Sequence, residues 1–541
     1  MSDQQRLLLA AVLMSLVLMA GWMLGSRRTA AVNVDAPADA EETHSETPAE
    51  GTGDIANAES TADSPAVSDS VSMDAPTVPE RRICVRIPAG SGSEDDLLVE
   101  ATILTLGGGI DSWVMPGWRD LSEEGDSSID LAEAPWFVAS GDGNGGPVAF
   151  ESDSPDTVTA GEATTVVLRT GTRTRTYTFH AGSYSFEIED DGAESFTVSQ
   201  GAIPVTESRP DMSRYFSAAW FAEKHRSKKS SSLEESLPLG RVLWVASRSR
   251  YFTVMLLAEE GGRVDGYAFS SEGTNSPAIT LSCSAARVYA GPVDYDRLHA
   301  LGSRTDTMVD FGWPLIRWIG KLIHLFMTRI LAPVSNWGVR IVILSAVMKF
   351  AMMPLSIHST RSMKKMQAMQ PLVLELQKKY ANDPMRQREE LSKLYKTHGV
   401  NPAGGCLPLL LQMPIFFALY RVLENSVALR GAGFVLWITD LSKPEILLPF
   451  GTSILGITGI GLLPLLMGAA MYFQQKSTIT DPAQKSMATI MPIMMTWFFM
   501  RFPAGLSLYW FVNNIIGIVE QRLLLRRQPA AVAVETTRHR R

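Results

Sequence analysis

A lysine lies inside one of the most apolar stretches of the chain. Asn336 to Leu355 reads NWGVRIVILSAVMKFAMMPL, with Lys349 well within it. A cation near the centre of a membrane-spanning helix costs about 2.5 to 3.5 kcal/mol, so it normally lines a water-filled cavity or pairs with an opposite charge. Lys349 is therefore the first candidate for a functional residue, and the chemistry available to it is attraction of acidic groups.

Hydropathy divides the chain into unlike parts. The 541 residues are 45% hydrophobic with a net charge of −8, but the long apolar runs are concentrated in residues 1–30 and 310–527. This distribution predicts a mixed, α-helical membrane protein with a soluble domain rather than one large soluble protein. The five predicted spans of the helical core, residues 336–527, lie near residues 337–357, 406–427, 460–475, 488–502 and 504–523.

Basic residues give these spans an orientation. Residues 359–400 hold nine Lys and Arg against four Asp and Glu, whereas the loop at residues 428–446 offers only Arg430 and Lys443. By the positive-inside rule, residues 359–400 are cytoplasmic. Both termini, including a short basic tail at residues 528–541, are then cytoplasmic, and the domain before the core is extracytoplasmic.

This orientation places Lys349 about nine residues, or ~13 Å, from a cytoplasmic end near His358, beyond the reach of its own side chain. The other spans contain acids only near their ends, Glu424 at an outer end and Glu520 at an inner one. We therefore expect Lys349 to lack an acidic partner and to line a wet groove open to the cytoplasm. An alternative is a lysine satisfied by backbone carbonyls at a helix break. The residues expected to line the groove are Lys349, Ser345, Gln412, Asn513 and Asn514.

The residues before the core comprise an anchor, a linker and a β domain. The apolar run in residues 1–28 predicts an uncleaved transmembrane signal anchor, with a cleaved signal peptide as the alternative. Residues 29–80 are acidic and rich in Ala, Ser, Thr and Pro, which predicts a disordered linker. Residues 81–305 show period-2 stretches such as TRTYTFHAGSYSFEIE, which predict an antiparallel β-sandwich. We expect the linker to decouple this β domain from the membrane, and the domain to be largely dispensable.

Residues 306–335 predict an amphipathic helix in the membrane interface. A sixth span is the alternative, and it would place several charges in hydrocarbon. Trp313, Trp318 and Phe326 lie away from the polar face. The polar face carries Arg317, Lys321, His324 and Thr328.

The cytoplasmic segment at residues 359–400 predicts a helical hairpin. Its two arms have helical spacing and are separated by ANDP, in which Pro384 can start a helix. Met363, Met366 and Met369 line one side of the first arm and form either packing or an adaptable docking face. Hinges are expected near Pro371 and at Gly404 and Gly405.

The three cysteines, Cys84, Cys283 and Cys406, are too few and too scattered for a disulfide framework or a CxxC metal site. Cys84 and Cys283 can pair if they lie in an oxidising compartment. We predict no catalytic residues, no metal and no cofactor.

Four motifs resemble the YidC membrane protein insertases of bacteria with a periplasm, and the match covers nearly the whole chain in the same order. They are YAGPVDYDRLHALG (289–302), NPAGGCLPLLLQMPIFFALY (401–420), LPLLMGAAMYFQQK (463–476) and FPAGLSLYWFVNN (502–514). The resemblance implies ATP-independent insertion and folding of proteins in the inner membrane, alone or with the Sec translocon, with ribosomes feeding the cytoplasmic side. It implies nascent membrane proteins as clients, the lipid bilayer as a partner and no sequence-specific nucleic acid binding. It also implies a β-supersandwich periplasmic fold.

The sequence departs from this family at two positions. The groove cation is typically arginine in the family, whereas this chain has Lys349, which lacks the planar five-donor guanidinium. Arg501 stands where an apolar or aromatic residue is usual, and we interpret it as an interfacial anchor. By the resemblance, the expected client-contacting residues are Met413, Pro414, Phe417, Phe498, Met500 and Tyr509.

Two other classes of protein would also place a cation in the membrane. A secondary transporter predicts inverted repeats and paired broken helices, and the spans show no internal repeat. A membrane enzyme predicts a cluster of facing titratable or metal-binding residues, whereas the spans offer a single lysine. The sequence favours an insertase over both.

Overall fold

A computed structural model describes residues 80–526 apart from short internal gaps. The predicted anchor, the linker through residue 79, Cys406, the hinge at Gly404 and Gly405 and the tail at 528–541 lie outside the described residues. The gaps are residues 91–95, 122–126, 133, 140–146, 172, 200–202, 205, 208–214, 234–235, 259–261, 270–275, 400–406, 455–456 and 477–481.

The described part of the β domain is built of antiparallel strands, apart from one parallel pair. In its three sheets the strand orders are β4-β3-β2-β1-β5, β11-β10-β13-β14-β17-β8-β7-β6 and β12-β15-β16-β9. The strands are β1 Arg82–Pro88, β2 Leu97–Leu104, β3 Ile110–Arg119, β4 Ser128–Asp130, β5 Thr157–Thr159, β6 Thr164–Thr170, β7 Arg173–Phe179, β8 Ser185–Asp190, β9 Phe196–Val198, β10 Ser217–Phe221, β11 His225–Lys229, β12 Leu237–Val242, β13 Trp244–Arg248, β14 Phe252–Ala258, β15 Val264–Phe269, β16 Ala278–Leu281 and β17 Ala285–Pro292.

The eight-stranded sheet is covered on both faces. Strand β14, FTVMLLA, is buried at every residue, as expected for such a strand. On one face Trp118 of β3 packs against Phe252 with ring centroids 5.6 Å apart, and the Ser247 hydroxyl donates to the Pro277 carbonyl next to β16 at 2.9 Å. On the other face Trp244 Nε1 of β13 donates to the Ser303 carbonyl at 3.2 Å, in the segment that follows the strands. The predicted all-β domain is confirmed.

A buried charge cluster joins β7 to β8 inside this domain. Asp190 accepts hydrogen bonds from Arg173 Nε at 2.7 Å and Arg175 Nε at 2.6 Å. Arg175 also donates to the carbonyls of Gly108 at 3.0 Å and Phe137 at 2.6 Å. Burial alone would raise the pKa of Asp190, but the hydrogen bonds and charges of the two arginines outweigh it and lower that pKa. Both oxygens of this carboxylate are thus satisfied.

Helices follow the β domain. The last of them begins at Ala504, within FPAG. The long third helix begins at Trp337, after Asn336, whose side-chain oxygen accepts from the Val339 amide at 3.1 Å as an N-cap. The helices are α1 Tyr295–Leu301, α2 Pro314–Leu325, α3 Trp337–Ala368, α4 Gln370–Lys379, α5 Pro384–Thr397, α6 Leu407–Asn425, α7 Leu462–Lys476, α8 Pro482–Phe499 and α9 Ala504–Arg526.

Helix α3 runs much further than the predicted span. Its 32 residues are about 48 Å long and include Met363 and Met366 of the predicted hairpin. It ends at Ala368, and α4 begins at Gln370 with Pro371 in its first turn, because a proline has no amide to continue the preceding helical ladder but fits the start of a helix. Within the described residues, α3 alone is long and apolar enough to pass a simple test for a membrane-crossing helix.

A small hairpin that the sequence did not predict lies between α6 and α7. Its strands are β18 Leu448–Ile454 and β19 Ile457–Ile460, paired antiparallel. Just before it, the two carboxylate oxygens of Glu445 accept from the amides of Leu462 at 2.9 Å and Leu463 at 2.6 Å. Glu445 therefore caps α7, where amides without helical partners favour a negative charge.

Candidate functional site

Lys349 lies where α3 packs against α9. The two helices run in the same direction, because a Cβ placed on Gly505 would lie 3.1 Å from Ile341 and one on Gly517 would lie 3.5 Å from Lys349 Nζ. The same Cβ would lie 2.4 Å from Gln474 Nε2 of α7, so a side chain at 517 would displace the Gln474 amide. Helices α3, α7 and α9 thus meet around the lysine ammonium.

The expectation that Lys349 lacks an acidic partner is wrong. Its Nζ lies 3.2 Å from Glu520 Oε2, and the side chains of the two residues are only 14% and 6% exposed. The sequence placed Glu520 near the end of a span, but parallel packing of α3 and α9 brings it level with Lys349. The sequence could have suggested Glu520 as the partner. An unpaired cation in a membrane is costly, and Glu520 is one of the few acids in the predicted spans.

Helix α9 carries buried polar atoms that have no partner in the described part of the chain, one of them in the Lys349–Glu520 pair. Within the described residues, Glu520 Oε1 and Asn514 Nδ2 are buried and have no hydrogen-bond partner. Such atoms are uncommon in folded proteins and call for water, an ion or another polar group. Asn514 is 6% exposed and Asn513 is half-buried.

A polar ladder runs along one face of α9. Tyr509, Asn513, Gly517 and Glu520 are spaced by four, four and three residues, which places them one above another. Tyr509 is buried and accepts a hydrogen bond from Gln412 of α6. Because Tyr509 and Glu520 are about 16 Å apart along the helix, Gln412 belongs to the far end of the ladder. Ser345 is fully buried and its hydroxyl donates to the Ile341 carbonyl at 2.7 Å, so it serves its own helix.

The predicted client-contacting residues lie beside a packed aromatic cluster. Phe416 of α6 and Phe499 of α8 are buried with ring centroids 6.2 Å apart, and Trp510 of α9 lies 5.4 Å from Phe416. Sequence reasoning chose their neighbours and missed this cluster, which joins the three helices. The half-buried members of the predicted set are Met413, Pro414, Phe417, Phe498 and Met500.

The methionine row is split between two environments. Met363 and Met366 are half-buried on α3, whereas Met369 is 4% exposed at the junction with α4. Helices α4 and α5 contact each other and have no fully buried residue. This part of the structure therefore has little core of its own.

Helix α2 turns its polar face toward the end of the β domain. Lys321 lies 3.8 Å from Asp306 and His324 lies 3.6 Å from Asp296, so the predicted polar residues contact α1 and the segment after it. Its opposite face is apolar and exposed at Leu315 63%, Trp318 67%, Leu322 54% and Leu325 50%.

The β domain is joined to the helical core, so the expectation that the linker decouples it is wrong. Arg430, in the loop after α6, forms an ion pair with Glu207 of the β domain, and both side chains are almost fully buried. Arg430 also donates to the carbonyls of Arg119 at 2.6 Å and Thr206 at 2.8 Å, and Lys443 lies 2.9 Å from Glu207. The partners lie more than 200 residues apart in sequence, which is why sequence patterns did not show the contact.

Arg501 and the two described cysteines have local partners. The Arg501 guanidinium lies 4.4 Å from the centroid of the Trp497 ring, a cation–π contact. Cys84 is not joined to Cys283, and Cys283 Sγ lies 3.9 Å from the Leu281 carbonyl oxygen. Burial and the carboxylate of Glu100, which accepts the thiol hydrogen bond at 3.1 Å, together raise the pKa of Cys84 to about 11.

These features define a class of protein with a helical membrane core preceded by an extracytoplasmic β domain, and two family profiles match these two parts. The one described as 60Kd inner membrane protein matches residues 329–531, and the YidC periplasmic domain matches residues 95–326.

Curated relatives identify the family. A membrane protein insertase YidC from Geotalea daltonii is 32% identical over 486 residues, covering 81% of this chain and 86% of the relative. One from Pelobacter propionicus is 35% identical over 370 residues, covering 64% and 67%, and one from Chlorobaculum parvum is 38% identical over 329 residues, covering 54% and 53%. The chain belongs to the YidC membrane protein insertase family, whose members are inner-membrane proteins with a periplasmic domain.

A solved structure is also similar. A crystal structure of an active YidC insertase with the first transmembrane domain resolved is 20% identical, covers 80% of this chain and 91% of that chain, and superposes with a TM-score of 0.36. At a TM-score below 0.5, this similarity adds nothing to the argument.

Proposed function

We propose that this chain inserts nascent membrane proteins into the inner membrane and helps them fold, alone or beside the Sec translocon. The observation that carries the proposal is the Lys349–Glu520 pair, a charged site held between apolar helices with buried polar atoms left over. Family membership supports the same activity. Insertion on this account needs no covalent chemistry, cofactor or ATP.

The proposed topology has five core spans after the anchor, with both termini cytoplasmic and the β domain periplasmic. The basic residues at 359–400 support this orientation. The exposed apolar face of α2 supports its placement in the membrane interface, because an amphipathic helix there buries its apolar side among lipid headgroups. The proposed division into anchor, linker, β domain, interfacial helix, core and tail rests on the same hydropathy and charge pattern of the sequence.

In the proposed mechanism a short hydrophilic segment of the client enters a groove between α3, α7 and α9. Lys349 attracts acidic residues of that segment, and water at the unpartnered atoms of Glu520 and Asn514 lowers the desolvation cost. The segment then needs to cross only part of the membrane. The membrane potential adds about 2.3 kcal/mol per acidic charge moved outward per 100 mV.

The apolar helix of the client slides along α6 and α8 into lipid. Met413 and Phe417 of α6 and Phe498 of α8 are half-buried, so part of each is accessible beside the packed cluster. Burial of about 20 apolar residues in lipid supplies the net driving force. Tyr509 contacts a client only when α6 and α9 separate, because it is buried and bonded to Gln412.

The cytoplasmic segment receives clients from the ribosome. Its helices α4 and α5 have no fully buried residue, so its local stability is low relative to the core. Met363 and Met366 are half-buried on the α3 extension that carries it, and methionine adapts to apolar partners of varied shape. The segment therefore acts as a flap that a nascent chain meets before the groove.

Insertion by the reconstituted protein tests this proposal. The full chain in liposomes should insert a single-span client whose translocated segment is acidic, whereas Lys349→Ala should insert it several-fold more slowly, because the attracting charge is lost. Lys349→Arg should retain most of the activity, since it keeps the charge. The readout is protease protection of the translocated segment.

Equal insertion by wild type and Lys349→Ala across several acidic clients would contradict the electrostatic role. Complete lack of insertion by the wild type in well-sealed liposomes would contradict the function itself. Arg421→Ala is the matched control, because that cation lies on α6 near Asp310 and Glu424, away from the Lys349–Glu520 pair.

A further inference from the structure

The charge at this site is balanced rather than simply positive. Glu520 Oε2 lies 3.2 Å from Lys349 Nζ, and both side chains are largely buried. A lysine alone would give the site a positive potential, which Glu520 offsets at short range. An acidic client residue therefore has to compete with Glu520 for the ammonium.

The Lys349–Glu520 contact does not use all the hydrogen-bonding atoms of either side chain. A lysine ammonium has three donors, and an ionised carboxylate accepts at both of its oxygens. Glu520 Oε1 has no hydrogen-bond partner among the described residues, although Glu520 is only 8% exposed. The pair can thus accept a third polar group without first being broken.

The surroundings keep space for such a group. Gly517 lies one turn before Glu520, and its missing side chain leaves room for the Lys349 ammonium and the Gln474 amide. The polar ladder of α9 continues from there to Asn513 and Tyr509. A polar segment lying along this face would pass Glu520 and Lys349 together.

From these observations we propose that Lys349 and Glu520 form an exchangeable pair that accepts client segments of either charge sign. Carboxylates of the client bind Lys349 and displace Glu520, whereas lysine or arginine side chains of the client bind Glu520 and displace Lys349. Each exchange gives the client charge a partner of opposite sign, so that charge is not buried unpaired, and the displaced side chain turns to water in the groove. Glu520 is then a specificity-determining residue. This inference rests on the proposed insertase function.

The test compares three versions of one single-span client, whose translocated segment is acidic, basic or uncharged, in liposomes without a membrane potential. Glu520→Gln keeps the size of the side chain and removes its charge. It should speed insertion of the acidic client several-fold and slow that of the basic client several-fold, while the uncharged client is unchanged. The exchanged variant Lys349→Glu/Glu520→Lys should insert acidic and basic clients in a ratio close to that of the wild type.

Glu424→Gln is the control, because this acid of α6 is bonded to Tyr420 at 2.8 Å and lies away from the pair. An equal effect of Glu520→Gln on all three clients, or no effect on any, would overturn the inference while leaving the insertase function standing. No insertion of any client by the wild type would instead overturn the function. If Glu520→Gln fails to fold, the exchanged variant decides: acidic and basic clients in a wild-type ratio support the inference, and a changed ratio refutes it.

Discussion

The β domain and the helical core each bury a charge cluster, and the two clusters differ in how well their atoms are satisfied. Asp190 has both oxygens bonded to Arg173 and Arg175, and Arg175 also donates to backbone carbonyls. In the core, Lys349 and Glu520 meet at one contact of 3.2 Å, and Glu520 Oε1 has no partner among the described residues. We call the first cluster closed, because the Asp190 oxygens are both bonded, and the second open, because Glu520 has an oxygen without a partner in the described part of the chain.

This difference separates a structural role from a functional one. Buried charges that are fully bonded hold segments in place, and removal of one partner is costly because the other is left unpaired in a medium of low polarity. A pair with atoms to spare stabilises less and can exchange partners. At the contact between the two regions, each oxygen of Glu207 has its own cation, Arg430 at Oε1 and Lys443 at Oε2.

The largest loss of stability should follow Asp190→Ala. This change leaves Arg173 and Arg175 without their counter-charge, and the Arg175 side chain is only 3% exposed. We expect the free energy of unfolding of the β domain to fall by about 3 to 5 kcal/mol. This loss is measured as faster hydrogen–deuterium exchange of peptides from β7 and β8 in the intact protein.

Asp153→Ala is the matched control, because Asp153 is 99% exposed in its ion pair with Arg169 and should change nothing measurable. The pKa of Asp190 is lowered in the folded state. Its contribution is therefore fully present above the ordinary pKa of aspartic acid and is lost as pH falls through the lowered value. The wild type should lose stability over that range and Asp190→Ala should lose less. Identical pH dependence in both would refute the assignment.

A smaller effect is expected of Arg430→Met. Among the described residues, Glu207 then keeps only Lys443 as a cationic partner. The contact between β domain and core should therefore weaken by roughly 2 to 3 kcal/mol, below the loss for a pair left with no partner. Amides of residues 427–432 should exchange faster, while β14 and α3 keep their protection.

Lys443→Met should weaken the same contact less, because Lys443 is 19% exposed and makes fewer bonds than Arg430. The two variants should also insert a single-span client almost as fast as the wild type, since nothing in the described β domain resembles a client site. A large loss of insertion with both regions folded would show that docking of the β domain is required.

The period of the apolar residues in the sequence predicted most of the strands and helices. The alternating stretch TRTYTFHAGSYSFEIE forms β7 and β8, and the apolar segment after Asn336 forms α3. Lys349 was found because its charge conflicts with its surroundings, a property of local sequence alone. The site was thus half predicted.

The other half depended on contacts that local sequence does not encode. Glu520 meets Lys349 because α3 and α9 pack in parallel at a particular register, with close approaches at Gly505 and Gly517, which carry no side chain. Glu207 and Arg430 come from different regions of the chain, so neither has a neighbour in sequence that reveals the other. The hairpin of β18 and β19 was also not predicted, because its sequence resembles an apolar loop.

The double variant Lys349→Met/Glu520→Met tests the central claim most directly, because it replaces the open pair with apolar side chains of similar size. Stability of the helical core and insertion of acidic, basic and uncharged clients are measured on the same preparation. Replacement of buried pairs in this way is often neutral or stabilising by about 1 to 4 kcal/mol. We predict unchanged or raised stability, with insertion lost for both charged clients and retained for the uncharged one. A fall in stability with all three clients affected alike would contradict the account.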